Sequence, residues 1–230
     1  MLEAVNLSKK YGRHEALINL NLSVLPGEIF CLLGANGAGK TTTINLFLGF
    51  IRPTSGKAII NGVEVNPRGT THQMIAYIPE VVQLYGNMSG LENLKFFSQL
   101  SGHQHTKNEL AALLNKAGLK EENHKKKLSS YSKGMRQKVG IAIALSKGAQ
   151  IIFMDEPTSG LDPHATNEFT STCKELAHEG KSIFMATHDI FNAVNVGNRI
   201  GIMKEGCLVY STETSNISAD EMQALYLKTI

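Results

Sequence analysis

Cysteine is scarce in this 230-residue chain, and its three copies, Cys31, Cys173 and Cys207, are far apart and odd in number. No C-x-x-C pair occurs. The pattern therefore excludes a disulfide framework and fits ordinary thiols in a reducing compartment. An excess of one charge is also missing. Lys and Arg number 23 against 20 Asp and Glu, a formal net charge of +3, too small to argue for nucleic acid as a partner. No run approaches the ~18 consecutive apolar residues of a membrane span. The first residues, Met1-Leu2-Glu3-Ala4-Val5-Asn6-Leu7, alternate like a strand and lack the charged start and apolar stretch of a secretory leader. The expectation is a cytoplasmic chain that serves a membrane, if at all, from its surface. Internal repeats and low-complexity tracts are absent too. With 42% hydrophobic and 19% charged residues, the composition is that of an ordinary globular protein. The length suits one domain, or one with a sizeable insert.

The first 85 residues read as β-rich. Short apolar or alternating runs at 2–7, 17–24, 29–33, 58–65 and 74–78 are separated by the turn signals Pro26-Gly27, Pro53-Thr54-Ser55-Gly56, Asn61-Gly62 and Pro67-Arg68-Gly69. Near Ser89 the pattern becomes helical and stays so to about 146. Leu91, Leu94, Phe97 and Leu100 recur in threes, and Leu110, Leu113, Leu114 and Leu119 suggest a second helix. The polar, Lys-rich stretch 89–130 reads as an insert with a small core of its own. After 146, strands at 151–154, 182–186, 199–203 and 207–210 alternate with helices at 164–178, 190–196 and 219–228. Such alternation predicts a parallel sheet with right-handed crossovers.

One motif dominates the chemistry. Gly34-Ala35-Asn36-Gly37-Ala38-Gly39-Lys40-Thr41 fits G-x-x-x-x-G-K-[ST], the phosphate-binding loop of nucleoside triphosphatases. It follows the apolar run Ile29–Leu33 and leads into a helix start at Thr41-Thr42-Thr43, the context the motif requires. The glycines, Gly37 and Gly39 among them, let successive N–H groups from Asn36 to Thr42 turn inward as an anion nest. A helix N-terminus adds its partial positive charge. Lys40 is placed to reach the β- and γ-phosphates of ATP, and the Thr41 hydroxyl to ligate Mg²⁺.

Ile151–Glu156 is an apolar strand that ends in two acids, and in a parallel sheet that end faces the ligand crevice. Asp155 suits the role of holding Mg²⁺, and Glu156 that of general base for the water that attacks the γ-phosphate.

With these segments in order, the chain from about Leu2 to Tyr210 resembles the nucleotide-binding subunits of ATP-binding cassette (ABC) transporters. Beside the phosphate loop and the Asp155-Glu156 strand end, Ser159-Gly160-Leu161-Asp162 looks like the D-loop of that family. His188 looks like its switch histidine, and Tyr11 occupies the place of its adenine-stacking aromatic. Tyr131-Ser132-Lys133-Gly134-Met135 sits where its Leu-Ser-Gly-Gly-Gln signature belongs. The resemblance implies an α/β P-loop NTPase core of the ABC ATPase kind, with an antiparallel β portion and a helical insert. It further implies a single domain over 1–230, with a RecA-like core at 1–88 and 147–212, a helical subdomain at 89–146 and a C-terminal helix near 219–228. ATP and Mg²⁺ are the implied ligands. A membrane permease and a second, head-to-tail copy of the chain are the implied partners, on the cytoplasmic face of the membrane. In that pairing Ser132 and Gly134 cap the γ-phosphate of the partner's ATP, Asp162 touches the opposite subunit, and His188 contacts the γ-phosphate. Tyr11 as partial core and Asp162 as a helix cap ahead of Pro163 stay open as plain structural readings.

Two segments depart from the family pattern, the signature and the lid. The signature's first Gly is Lys133, with Met135 in place of its Gln, a variant that resembles exporter-type subunits. The lid position that usually carries Gln is Glu80, expected to contact Mg²⁺ from the side. By resemblance, Val81–Phe97 lines a groove for a short permease helix. Leu84, Tyr85 and Met88 either contact that helix or pack within the insert. Lys125-Lys126-Lys127 reads as a solvated face, and His103-Gln104-His105 lacks the third ligand a metal needs. Two other readings compete. One is a soluble ABC-type ATPase acting on nucleic acid or ribosomes, which normally carries long coiled coils or tandem cassettes. The other is an ATP sensor without hydrolysis, which Glu156 and His188 argue against.

Overall fold

The computed structural model describes residues 1–67 and 69–230. Arg68, within the predicted turn Pro67-Arg68-Gly69, lies outside the described residues. The chain runs β1 (Leu2–Tyr11), β2 (His14–Val24), β3 (Ile29–Leu33), α1 (Lys40–Phe47), β4 (Ser55–Ile60), β5 (Val63–Glu64) and β6 (Ile75–Ile78). Three helices follow: α2 (Gly90–Leu100), α3 (Lys107–Lys116) and α4 (Lys133–Ser146). Strand and helix then alternate through β7 (Ile151–Asp155), α5 (Pro163–His178), β8 (Ser182–Thr187) and α6 (Ile190–Val196), before β9 (Arg199–Lys204), β10 (Cys207–Glu213) and α7 (Ala219–Thr229).

Among the described residues the strands form two sheets. One has the order β2-β1-β4-β5 with antiparallel pairing, and the other β10-β9-β3-β8-β7-β6. In the second sheet β3, β6, β7, β8 and β9 are parallel and β10 is an antiparallel edge. This is the expected fold class. The run at 58–65 is two strands and not one, because Asn61 and Gly62 both take positive φ, 49° and 78°. That pair of angles is the tight hairpin turn that Asn-Gly favours.

Alternation sorts the central strands onto two cores, since successive strand side chains point to opposite faces. From β3, Ile29, Cys31 and Leu33 join the cluster under α4, α5 and α6, while Phe30 and Leu32 face the antiparallel sheet. Phe153 and Phe184 take the second face too, where they pack with Phe30 and Phe47 at centroid distances of 5.7 to 6.1 Å.

The helices within 89–146 do not close off a small core of their own. Leu94, Leu110 and Leu114 share one continuous buried cluster with Met154, Ile183 and Met185 of the sheet. The stripe of threes on α2 also fails at its end. Residues three apart advance about 300° on an α-helix, so the stripe slides about 60° per step. Leu94 is buried while Leu100 is 72% exposed. The inward face is completed by Gly90, Asn93 and Ser98. Among the described residues no helix is long and apolar enough to cross a membrane.

Candidate active site

Strand order decides which residues meet. β6, β7, β8 and β3 are successive parallel neighbours, so their C-terminal ends line up along one edge. Glu80 follows β6, Asp155 and Glu156 close β7, Thr187 and His188 close β8, and the glycine-rich loop follows β3. Segments more than a hundred residues apart in sequence thus converge where open α/β sheets bind ligands.

The loop is held open by geometry that only glycine tolerates. Gly39 stands before α1 with φ +110°, and a Cβ there would lie 2.6 Å from the Ala16 carbonyl oxygen. Among the described residues no side chain caps α1, which leaves its first-turn N–H groups free for an anion.

Lys40 is only 6% exposed. Its Nζ donates to the carbonyls of Gly34 at 2.6 Å and Ala35 at 3.2 Å, and stands 3.8 Å from Glu156 Oε1. Burial lowers its pKa, and the charges of Glu156 and Asp155 only partly oppose that. The Thr41 hydroxyl donates to Asp155 Oδ2 at 3.1 Å. Burial raises the pKa of Asp155, the Thr41 bond works against the rise, and Glu156 adds to it. For Lys40 and Asp155 alike, burial outweighs the counter-charges the chain itself supplies, so each has room for a further partner, an anion for the one and a cation for the other. That imbalance is the chemical fit for a triphosphate with a divalent metal. Among the described residues no group of three or more His, Cys, Asp or Glu is suited to hold a metal. A hydroxyl with one or two carboxylates matches Mg²⁺, which fills its shell with phosphate oxygens and water.

Glu156 adopts the left-handed region, with φ 47°, a conformation that costs about 1–3 kcal/mol and is typical of functional positions. Its N–H donates to the Ala186 carbonyl at 2.8 Å. Its Oε2 accepts from the Thr187 hydroxyl at 3.2 Å and the His188 N–H at 3.2 Å, and lies 2.9 Å from His188 Nδ1. Oε1 faces Lys40. The carboxylate is thus fixed on both oxygens.

These groups open on a cleft of about 370 Å³. Its lining includes Tyr11, Asn36, Gly37, Gly39, Lys40, Thr41, Thr42, Glu80, Asp155 and Glu156. Tyr11 is 46% exposed, with Lys9 Nζ 5.0 Å from its ring centroid, so it is not core. The expected Mg²⁺-side residue Glu80 reaches the cleft, yet its carboxylate is engaged by the Ser159 hydroxyl at 3.0 Å and Lys133 Nζ at 3.6 Å. Ser132, Gly134 and Asp162 do not line the cleft. Ser132 Oγ accepts from the Met135 N–H at 3.3 Å and Asp162 Oδ1 from the Ala165 N–H at 2.8 Å, so each caps its helix. His188 touches the cleft only through Glu156.

Sequence reasoning missed three participants. His14 lines the cleft because the Gly12-Arg13 hairpin sets it opposite Tyr11. Thr187 and the Ser159–Glu80 contact also went unseen, since hydroxyls at strand ends carry no local signature. The family model for ABC transporters matches residues 17–159. The chain belongs to the ABC transporter family. The bacitracin transport ATP-binding protein of Enterococcus faecalis is 35% identical over 94% of this chain and 70% of its own length. A lantibiotic transport ATP-binding protein of Streptococcus pyogenes is 33% identical over 93% of this chain and 91% of its own. A solved dimeric ATP-binding cassette, in a post-hydrolysis state with ADP and Pi, superposes with a TM-score of 0.81 at 27% identity, covering 93% of this chain and 99% of that one. As an ABC cassette, the chain is a nucleotide-binding, ATP-hydrolysing subunit that powers transport by a separate permease.

Proposed function

We propose that two copies of this chain close head to tail over two ATP molecules and drive export of a peptide antibiotic through a permease they serve from the cytoplasmic face. The carrying observation is the convergence, in one cleft, of the phosphate loop, the Thr41–Asp155 pair and the doubly held Glu156. Loop N–H groups and Lys40 bind the β- and γ-phosphates, and Tyr11 stacks on adenine. Thr41 and Asp155 would hold Mg²⁺, with Glu80 at its side. Bound there, Mg²⁺ neutralises phosphate charge and orients the γ-phosphate. Glu156 accepts the proton of the attacking water. Its left-handed backbone and the Thr187 hydroxyl aim the carboxylate, and His188 holds it through Nδ1 while its Nε2 edge is left for the nucleotide.

Ser132, Gly134 and Asp162 lie outside their own chain's cleft, which fits a role on the partner's nucleotide. The start of α4 presents free N–H groups there, an anion site by geometry. Bridging ATP then drives dimerisation by mass action, and hydrolysis removes the bridge. Exposed Val81, Tyr85 and Phe96, with Tyr85 and Phe96 edge to face at 5.2 Å, form the surface offered to the permease. Leu84 and Met88 sit half-buried beside them.

Export is supported by the Tyr131-Ser132-Lys133-Gly134-Met135 variant and by the bacitracin and lantibiotic relatives. Co-expression with the cognate permease in a sensitive host is expected to raise tolerance to bacitracin or a lantibiotic, and Glu156→Gln to abolish the gain. Unchanged tolerance despite an assembled, ATP-hydrolysing complex refutes this export reading.

A further inference from the structure

Two of the residues that depart from the family pattern, Glu80 and Lys133, are in contact. Lys133 Nζ stands 3.6 Å from Glu80 Oε1, and the same oxygen accepts from the Ser159 hydroxyl at 3.0 Å. α4 also grips the backbone on either side of that acid. Gln137, fully buried, donates through Nε2 to the carbonyls of Glu80 at 3.1 Å and Pro79 at 3.4 Å. One turn on, Gly140 lies against the same segment, where a Cβ would come into ordinary contact with Val82 at 3.4 Å. Glu80 therefore belongs to two places at once. It lines the nucleotide cleft, and it is tied to the first residue of the helix whose N-terminus faces the partner's triphosphate.

One carboxylate cannot serve a divalent cation in its own cleft and the Lys133 ammonium at full strength. We propose that Glu80 and Lys133 form a nucleotide-sensitive tether, paired in the separate protomer. Filling the chain's own cleft with magnesium nucleotide draws Glu80 inward and frees Lys133 to meet the triphosphate held by the second copy. The inference rests on the site roles given under Proposed function. Lys133 is then a nucleotide-contacting residue and Glu80 the residue that positions it, so the availability of Lys133 to one nucleotide is set by occupancy of the other, and closure becomes cooperative in ATP. The pair is suited to this use. Its side chains are 51% and 31% exposed, so water screens the attraction and leaves it weak enough to exchange for a metal contact. By linkage, the partner's triphosphate pulls on Lys133 and in return favours metal binding by Glu80.

The test is the magnesium ATP concentration at which half the protein is dimeric, by analytical ultracentrifugation, in a Glu156→Gln background that cannot turn over. Glu80→Gln breaks the pair and releases Lys133 but also weakens the metal contact, so its effect is compared with and without Lys133: with Lys133 intact it is expected to leave that concentration about 2- to 5-fold lower, relative to its parent, than it does with Lys133→Met. Lys133→Met keeps the stem, removes the charge and is expected to raise it about 10-fold. Lys133→Arg, which keeps the charge, is expected to stay within about 2-fold. With Lys133→Met present, Glu80→Gln is expected to give no lowering at all. The same change in both backgrounds overturns the tether alone. A Glu156→Gln protein that stays monomeric at saturating magnesium ATP overturns the site reading beneath it.

Discussion

Replacing Glu156 by Gln removes one charge and almost no volume. The carboxylate lies 3.8 Å from Lys40 Nζ, and at an effective dielectric of ~20 two such charges attract by about 4 kcal/mol. Part of that returns. Glu156 is one cause of the raised pKa of Asp155, so its neutralisation relieves a repulsion, and Asp155 still faces Lys40. The net cost to the nucleotide-free fold is about 1–3 kcal/mol, a fall of roughly 3–10 °C in melting temperature for a chain this size. The amide oxygen can still accept from Thr187 and the His188 N–H, so the cleft keeps its shape. Phosphate release at saturating magnesium ATP is expected to fall about 10²- to 10⁴-fold, the contribution of a positioned general base. Binding of a fluorescent nucleotide is expected to change by less than about 3-fold, because the lost interaction belongs to the transition state. A folded variant that binds nucleotide normally and hydrolyses it within about 3-fold of the parent refutes the assignment.

Phe184 packs on Phe30, Phe47 and Phe153, and Phe184→Ala is expected to cost about 3–5 kcal/mol in urea unfolding. Asn93 is buried, donates to the carbonyls of Tyr85 and Ser89 and accepts from the Tyr85 N–H. Asn93→Ala strands those groups, and about 2–3 kcal/mol should be lost by the same measurement. Glu92, Glu109 and Glu221 accept from the N–H groups of Ser89, Thr106 and Ser218, which holds their pKa below the ordinary 4.5. Stability from a depressed carboxylate is complete above its unfolded value and disappears as pH falls through the folded one. Far-UV melts should therefore show falling stability on acidification below about pH 4.5, and a smaller fall in the triple Gln variant, where Glu168, held low by Lys138, still contributes. Burial pushes the Cys31 thiol up to about 12, and that of Cys173 up as well. An alkylating reagent on the native protein should label the half-buried Cys207 well before either.

The parts of the site that were legible in the sequence are those whose chemistry is local. The phosphate loop declares itself through glycine spacing, and Asp155-Glu156 through an apolar strand ending in acids. β3, β7 and β8 were readable because strands buried on both faces are continuous apolar runs. What could not be read depends on strand order. That β8 lies between β3 and β7, setting Thr187 and His188 against Glu156, follows from packing over the whole sheet. The Glu80–Lys133 contact was hidden for the same reason: each residue stood out alone, and nothing local joined them. On α2 the stripe Leu91, Leu94, Phe97 and Leu100 suggested a face that helical geometry does not sustain.

The shared leucine cluster beneath α2, α3 and α4 has a mechanical consequence. Lifting the helical segment away would wet its apolar surface at once, and close packing interlocks the side chains across the seam, so it transmits strain. The hydrogen bonds from Gln137 to the lid carry any displacement of α4 directly to the acid that looks into the nucleotide cleft.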